Sequence, residues 1–397
     1  MNRLIILLLL LGIFSCTQSS SKSKTEKLHE EKNTKVEFPY HVNLPDNGKD
    51  TLNLSKVSTE VNFVSLETNK KSLLRRVYQM EMNDTLILIS DLRRLLLFKM
   101  DGSFVKQIGK NGKGPGEYIY VLDFQIKGDT IYIASSGKRS IIKYNLSGEF
   151  LEEKKLDALL AYFSIDEKNQ IAWYDRCEGA IKFFNQDAQL IASSKFETFL
   201  KGRDRFTWKD SYDTYFQRSD SSLLVNNYLS DTIWSINDKR KKPAFIFNLG
   251  NELLPVTKQV GYYNGDFNKF ERNASPYQKI NIIHSDNYLM VFKKSWIEDD
   301  LNSIYLHSFD NQVTQKYAVP FVYDDLISHR CLNIRSELSQ NGFMISVINA
   351  MDLCLDMEET KTVQEKLNPQ TKHWFDKMSN VKEGDNPILA ICRLKKR

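Results

Sequence analysis

Asp84-Thr-Leu-Ile-Leu-Ile89 leads through Leu97-Phe-Lys-Met-Asp-Gly102 to Phe104-Val105, and Asp129-Thr-Ile-Tyr-Ile-Ala134 leads through Ile142-Lys-Tyr-Asn-Leu-Ser-Gly148 to Phe150-Leu151. In both copies a turn-forming residue starts a β-branched and aromatic run, a polar gap follows, and a second apolar run stops at a glycine-containing turn. That is a repeated β-hairpin unit. The copies lie about 45 residues apart, a period typical of propeller blades, because one four-stranded sheet cannot bury both of its faces alone.

Working outward, a third unit runs from Asn169 to Ile191, a fourth from Ser222 to Phe247, a fifth from Asn287 to Asp310 and a last from Gly342 to Cys392. Six units predict an all-β, six-bladed β-propeller occupying residues 36–397. Two insertions widen the later intervals. Leu249 to Tyr277 is rich in Gly, Asn and aromatics, and Glu358 to Asn380 carries a helical pattern broken at Asn368-Pro369, a short helical insertion in the last blade. A ring needs its ends joined, or two sheet edges stay open to aggregation. Val61 to Leu66 and Ile388 to Leu394 are strand-like runs near the two ends, so they are expected to share one blade.

The amino terminus has a different character. Arg3 precedes the apolar run Leu4 to Leu11, too short to span a bilayer permanently, and Gly12-Ile-Phe-Ser15 leads to Cys16. Residues 1–15 therefore look like a cleaved export signal, and Cys16 resembles the lipid-bearing first residue of a mature bacterial lipoprotein. The following stretch, to residue 35, is rich in Ser, Lys and Glu and almost free of apolar residues, as a flexible tether would be.

Composition excludes more than it selects. Lys and Arg number 55 against 50 Asp and Glu, a mild excess with no basic stripe, so nucleic acid is not an expected partner. Cys177, Cys331, Cys354 and Cys392 form no C-x-x-C pair for zinc, and they are read either as small buried residues or as one oxidised pair. The six histidines are scattered, no Gly-x-Ser-x-Gly elbow occurs, and neither a metal nor a cofactor is expected. Gly109-Lys-Asn-Gly-Lys-Gly-Pro-Gly116 invites a phosphate-loop reading, but Pro115 stands where a Lys is needed. The run is read as a turn between strands.

The chain resembles the six-bladed propeller lipoproteins of Bacteroides-type bacteria, distant relatives of NHL-repeat propellers. The residues that carry the resemblance are Phe63-Val-Ser-Leu-Glu-Thr68, the stretch Phe98 to Tyr118 with its glycines, and Asn386-Pro-Ile-Leu389. The resemblance implies a propeller at the outer membrane and no established activity. Bacteria of this kind send lipoproteins with an acid cluster after the cysteine to the cell surface. Thr17-Gln-Ser-Ser-Ser-Lys22 has none, which favours a periplasm-facing position.

The richest stretch for recognition is Arg203 to Arg218. Arg203 and Arg205 offer forks for carboxylates, while Trp208, Tyr212 and Tyr215 offer faces for sugar rings or peptide side chains. Trp173, Tyr262 and Tyr263 are candidates for the same end of the ring. The expected function is a lipid-anchored envelope propeller that binds a protein partner or a glycan without catalysis. The alternative is a hydrolase or lyase whose carboxylates come from several blades and meet in the central channel.

Overall fold

A computed structural model describes residues 39–48, 50–156, 160–175, 178–196, 214–218, 223–227, 230–255, 272–296, 301–340, 342–360 and 368–396. Three strands come first, β1 (Tyr40–Val42), β2 (Leu52–Asn53) and β3 (Ser58–Ser65), and each joins a sheet formed later in the chain. Blade 1 follows as β4 (Gln79–Met82), β5 (Leu86–Ser90), β6 (Leu95–Lys99) and β7 (Phe104–Ile108). Blade 2 is β8 (Val121–Lys127), β9 (Thr130–Ser135), β10 (Ser140–Asn145) and β11 (Phe150–Lys155). Blade 3 is β12 (Leu160–Ile165), β13 (Ile171–Asp175), β14 (Ala180–Phe184) and β15 (Leu190–Lys195).

Blade 4 is β16 (Thr214–Arg218), β17 (Leu223–Asn227), β18 (Thr232–Asn237) and β19 (Arg240–Phe247), with β1 added in parallel along β19. Blade 5 is β20 (Gln278–His284), β21 (Tyr288–Ser295), β22 (Leu301–Ser308) and β23 (Val313–Tyr317). A small sheet then joins β24 (Val322–Tyr323) and β25 (Cys331–Leu332) to β2, and the last sheet is β26 (Phe343–Ile348), β27 (Ile388–Leu394) and β3.

Among the described residues the sheets therefore number seven, and the propeller has seven blades, not six. The uncounted blade is β2-β24-β25. Its strands are two residues long, too short for any alternation of apolar and polar residues to show, and one of them lies before the first recognised repeat. Its Leu52, Val322 and Leu332 are fully buried in one cluster with Ile304 of blade 5 and Met344 and Ala390 of blade 7.

Each blade packs on the next through the alternate residues of its strands. Val64 and Leu389 meet Ile87 and Phe98 between blades 7 and 1, and Leu88 and Leu97 meet Phe124 and Ile133 between blades 1 and 2. Ile181 and Phe183 meet Val225 and Ile236 between blades 3 and 4. The inner strands β4, β8, β12 and β16 touch in succession and converge on the axis.

The expected closure is present: β27 pairs antiparallel with β3, from Ile388 opposite Ser65 to Leu394 opposite Ser58. The segments that carry the family resemblance lock this seam. Asn386 accepts from the Leu74 amide at 2.7 Å and donates through Nδ2 to the carbonyls of Glu67 at 2.8 Å and Ser72 at 3.0 Å. Glu67 in turn binds the blade 1 turn, its amide donating to Gly102 O and its carboxylate accepting from the Phe104 amide. Gly102 has φ +90, and a Cβ there would fall 2.1 Å from Ser65 O, so only glycine fits.

Helices Ala350–Thr360 and Pro369–Met378 lie between β26 and β27, with Asn368 capping the second. The first starts earlier than the expected insertion. Trp374 meets Phe63 at 5.2 Å and so anchors the second helix on β3.

Replacing Asn386 with Ala leaves buried backbone groups without partners and is expected to cost about 2–4 kcal/mol in urea unfolding. Truncation before Asn386 removes β27 and is expected to abolish the cooperative transition.

Candidate functional site

Inner strands place polar side chains where the blades converge, and four of them build one cluster. Arg218 from β16 reaches Asp123 of β8, Nη2 to Oδ2 at 2.5 Å, and Glu81 of β4, Nη1 to Oε2 at 3.3 Å. Its Nε donates to the carbonyl of Phe163 on β12 at 3.1 Å. Asp123 also accepts from the Phe163 amide at 3.0 Å and from Gln79 Nε2 at 3.3 Å. Burial raises the Glu81 carboxyl to about 8, against the pull of Arg218, so it is protonated at neutral pH. Burial raises Asp123 as well, opposed by Arg218 and by the Phe163 amide.

A single 3-10 turn, Ser336–Leu338, fills more of the axis and touches β4, β16 and β20. Tyr215 Oη donates to Ser336 O at 2.8 Å, and Asn281 Nδ2 donates to Ser336 Oγ at 2.9 Å. Burial works against ionisation of the adjacent Glu337, but Arg335 and Lys294 outweigh it and hold the carboxyl below its usual range. No apolar period marks this turn, so sequence reading missed it.

The convergent groups face one another. Side-chain exposure is 11% for Arg218, 5% for Glu81 and 0% for Asp123, so a substrate cannot reach them in this conformation. Their bonds join blades 1 to 4.

A second cluster opens to solvent at the outer side of blades 4 and 5. An open cavity of about 610 Å³ is lined by Pro39, Tyr40, Asn43, Leu44, His307 and Thr314 among others. On its floor His307 is buried, its Nδ1 paired with Thr314 Oγ1 at 2.9 Å and its Nε2 with Tyr40 Oη at 3.1 Å. Burial lowers the His307 pKa, so the imidazole is neutral and each hydroxyl meets one ring nitrogen. Phe309 supports the wall, its ring 5.7 Å from Tyr40 and 5.5 Å from His307.

The chain matches, over residues 39–393, a family model described as a domain of unknown function, DUF4934. The chain belongs to the DUF4934 family. Among solved structures, this DUF4934 chain is similar to a Bacteroides fragilis protein described as exported, with a TM-score of 0.68 at 18% identity over 90% of this chain and 99% of that one. It is also similar to a DUF4221 member from Bacteroides vulgatus, with a TM-score of 0.47 at 11% identity, covering 86% of this chain and 98% of that one. The first likeness supports the propeller fold of DUF4934 and nothing finer. No curated protein matches the chain.

The residues expected to bind ligand fare unevenly in DUF4934. Trp173 is fully buried between Phe163 and Phe184, at 6.2 and 6.5 Å, and Tyr215 is buried against Ser336. Both are core residues, because alternate positions of a blade strand face the neighbouring blade and not solvent. Arg203, Arg205, Trp208, Tyr212, Tyr262, Tyr263, Cys16 and Cys177 lie outside the described residues. Cys331, Cys354 and Cys392 are free thiols, and only Cys392 is buried. The glycine run is a folded turn: Glu117 accepts from the Gly114 amide at 2.8 Å, and Lys138 Nζ donates to Gly114 O at 2.8 Å and Glu117 O at 2.9 Å.

Arg218→Met strands Asp123 in the core and is expected to cost about 3–5 kcal/mol. Glu81 binds a proton more tightly in the folded than in the unfolded state, so it makes stability fall as pH rises from about 4.5 to about 8. Glu81→Gln is expected to flatten that slope, read from urea midpoints across the window.

Proposed function

We propose that this DUF4934 chain is an exported, lipid-anchored propeller that binds a neutral glycan without catalysing a reaction. The observation that carries this reading is the Tyr40–His307–Thr314 cleft. Its lining holds hydroxyls, the Asn43 amide and proline faces, and among the described residues its titratable side chains besides Tyr40 are His41 and His307. Such a surface suits an uncharged ligand rich in hydroxyls, which needs donors and acceptors on a flat apolar wall. Export is supported by the apolar run before Cys16 and by the description of the Bacteroides fragilis relative. A lipid on Cys16 and the tether to residue 35 would hold the ring at the outer membrane, facing the periplasm.

One observation favours the rival reading of a hydrolase or lyase: Glu81 keeps its proton near neutral pH beside Arg218 and Asp123. Perturbed groups of this kind often mark catalytic sites. Against it stands the closed set of bonds around all three.

Glycan-array and calorimetric binding are expected to weaken about fivefold in Tyr40→Phe and in Thr314→Val, each of which deletes one hydroxyl bond worth about 1 kcal/mol. Full binding by both variants together with loss in Trp208→Ala would move the site to the 203–218 segment. Cys16→Ala is expected to abolish labelling by tritiated palmitate in cells, and persistent labelling would remove the lipid anchor.

A further inference from the structure

On the opposite side of the ring from the blade 4 and 5 hairpin tips, where the inner strands of blades 1 and 2 begin, lies a cleft of different chemistry. Arg75, Arg76 and Arg93 line an open cavity of about 550 Å³ together with Asp91, Leu92 and Tyr120. We infer that this cleft binds an acidic saccharide, a sugar carrying carboxylate or phosphate groups.

Charge is the first reason. The one acid among the described lining residues, Asp91, is buried and already neutralised: it accepts from the amides of Arg93 and Arg94 at 3.1 and 2.8 Å and from Arg94 Nε and Nη2 at 3.0 and 2.6 Å. Arg94 is engaged at both ends of its guanidinium, since Nη2 also donates to Leu73 O at 2.5 Å. Arg75, Arg76 and Arg93 are exposed, and among the described residues none of them pairs with a carboxylate. Three uncompensated guanidinium forks thus border one space, and such forks match carboxylate and phosphate oxygens two at a time.

Backbone geometry is the second reason. Leu92 has φ +80 and Tyr120 φ +58, conformations that side chains other than Gly and Asn rarely adopt. Ser90 holds them together, its Oγ accepting from the Leu92 amide and donating to Val121 O, both at 2.9 Å, while the Val121 amide donates to Leu92 O at 2.8 Å. Leu92 and Tyr120, two of the nine non-glycine residues with positive φ among the described residues, thus bring their backbones together at the rim of the charged cleft and fix its floor.

The size and walls select the class. The cavity is within the range of organic ligand pockets, roughly 300–1,000 Å³, and far larger than one inorganic oxyanion. Tyr120 adds an aromatic ring to the lining, and Arg76 is steadied over the Tyr78 ring at 5.2 Å, so an aromatic side chain stands beside the charges as a pyranose requires. This inference is independent of the neutral cleft at Tyr40.

Calorimetry on the full chain tests it with tetragalacturonate, mannose 6-phosphate, maltotetraose, inorganic phosphate and a tetra-aspartate peptide. One or both acidic sugars are expected to bind at least about tenfold tighter than the other three, and the better of them names carboxylate or phosphate. Binding should weaken about tenfold in Arg76→Gln and in Arg93→Gln, and also in Arg93→Lys, which keeps the charge but loses the fork. It should fall again between about 20 and 200 mM salt and stay unchanged in Tyr40→Phe. Thermal melts of these exposed-site variants should match wild type. Failure of both acidic sugars to bind, equal binding of tetra-aspartate or inorganic phosphate, or full binding by the triple Arg→Gln variant would each overturn the inference.

Discussion

Pairing of β27 with β3 is the interaction on which the remaining structure depends. A blade has two apolar faces, and the ring covers all of them only if the last sheet is completed by a strand from the other end of the chain. Here β3 supplies that strand, and Asn386, Glu67 and Gly102 tie the seam to blade 1. Those residues belong to the segments by which the chain resembles its family. Part of the resemblance therefore lies at the closure, while its Gly109–Tyr118 part forms a turn tied to Lys138 of blade 2.

Closure also dictates what can occupy the axis. Wedge-shaped packing brings β4, β8, β12 and β16 together, and their inward polar groups are shut away from water. A lone charge there would be costly, and the groups find partners among themselves: Arg218 satisfies Asp123, and the protonated Glu81 completes the set. The Ser336–Leu338 turn, held by Tyr215 and Asn281, packs between β4, β16, β20 and β26. The bonds of Arg218 join four blades, and solvent-open recognition falls to surfaces where the repeat is broken.

How far this could be read from the sequence follows from distance along the chain. The hairpins from Asp84 to Val105 and from Asp129 to Leu151 were legible because turn and strand chemistry is local, and the outcome was the right fold class. The blade β2-β24-β25 was not, since it joins Leu52 to Val322 through strands without room for a pattern, and the expected number of blades was short by one. Trp173 and Tyr215 illustrate a different limit. Their composition suits a binding face equally well, and only the register of β13 and β16 turns them inward. Tyr40 and His307, 267 positions apart, share no sequence signal at all.

Both open clefts arise at departures from the regular blade. The first exists because β1 adds in parallel to β19, so that Tyr40 overhangs a histidine of the next blade. The second exists because the turn before β6 and the entry to β8 adopt left-handed geometry at Leu92 and Tyr120, where a glycine would be easier to accommodate. Neither feature belongs to the β27–β3 seam or to the Arg218 cluster, though the Leu92 turn does tie blade 1 to blade 2 through the Val121 amide. At the second departure three exposed arginines, none with a carboxylate partner among the described residues, gather around one space, and a ligand carrying several anionic oxygens is what their charge and fork geometry match.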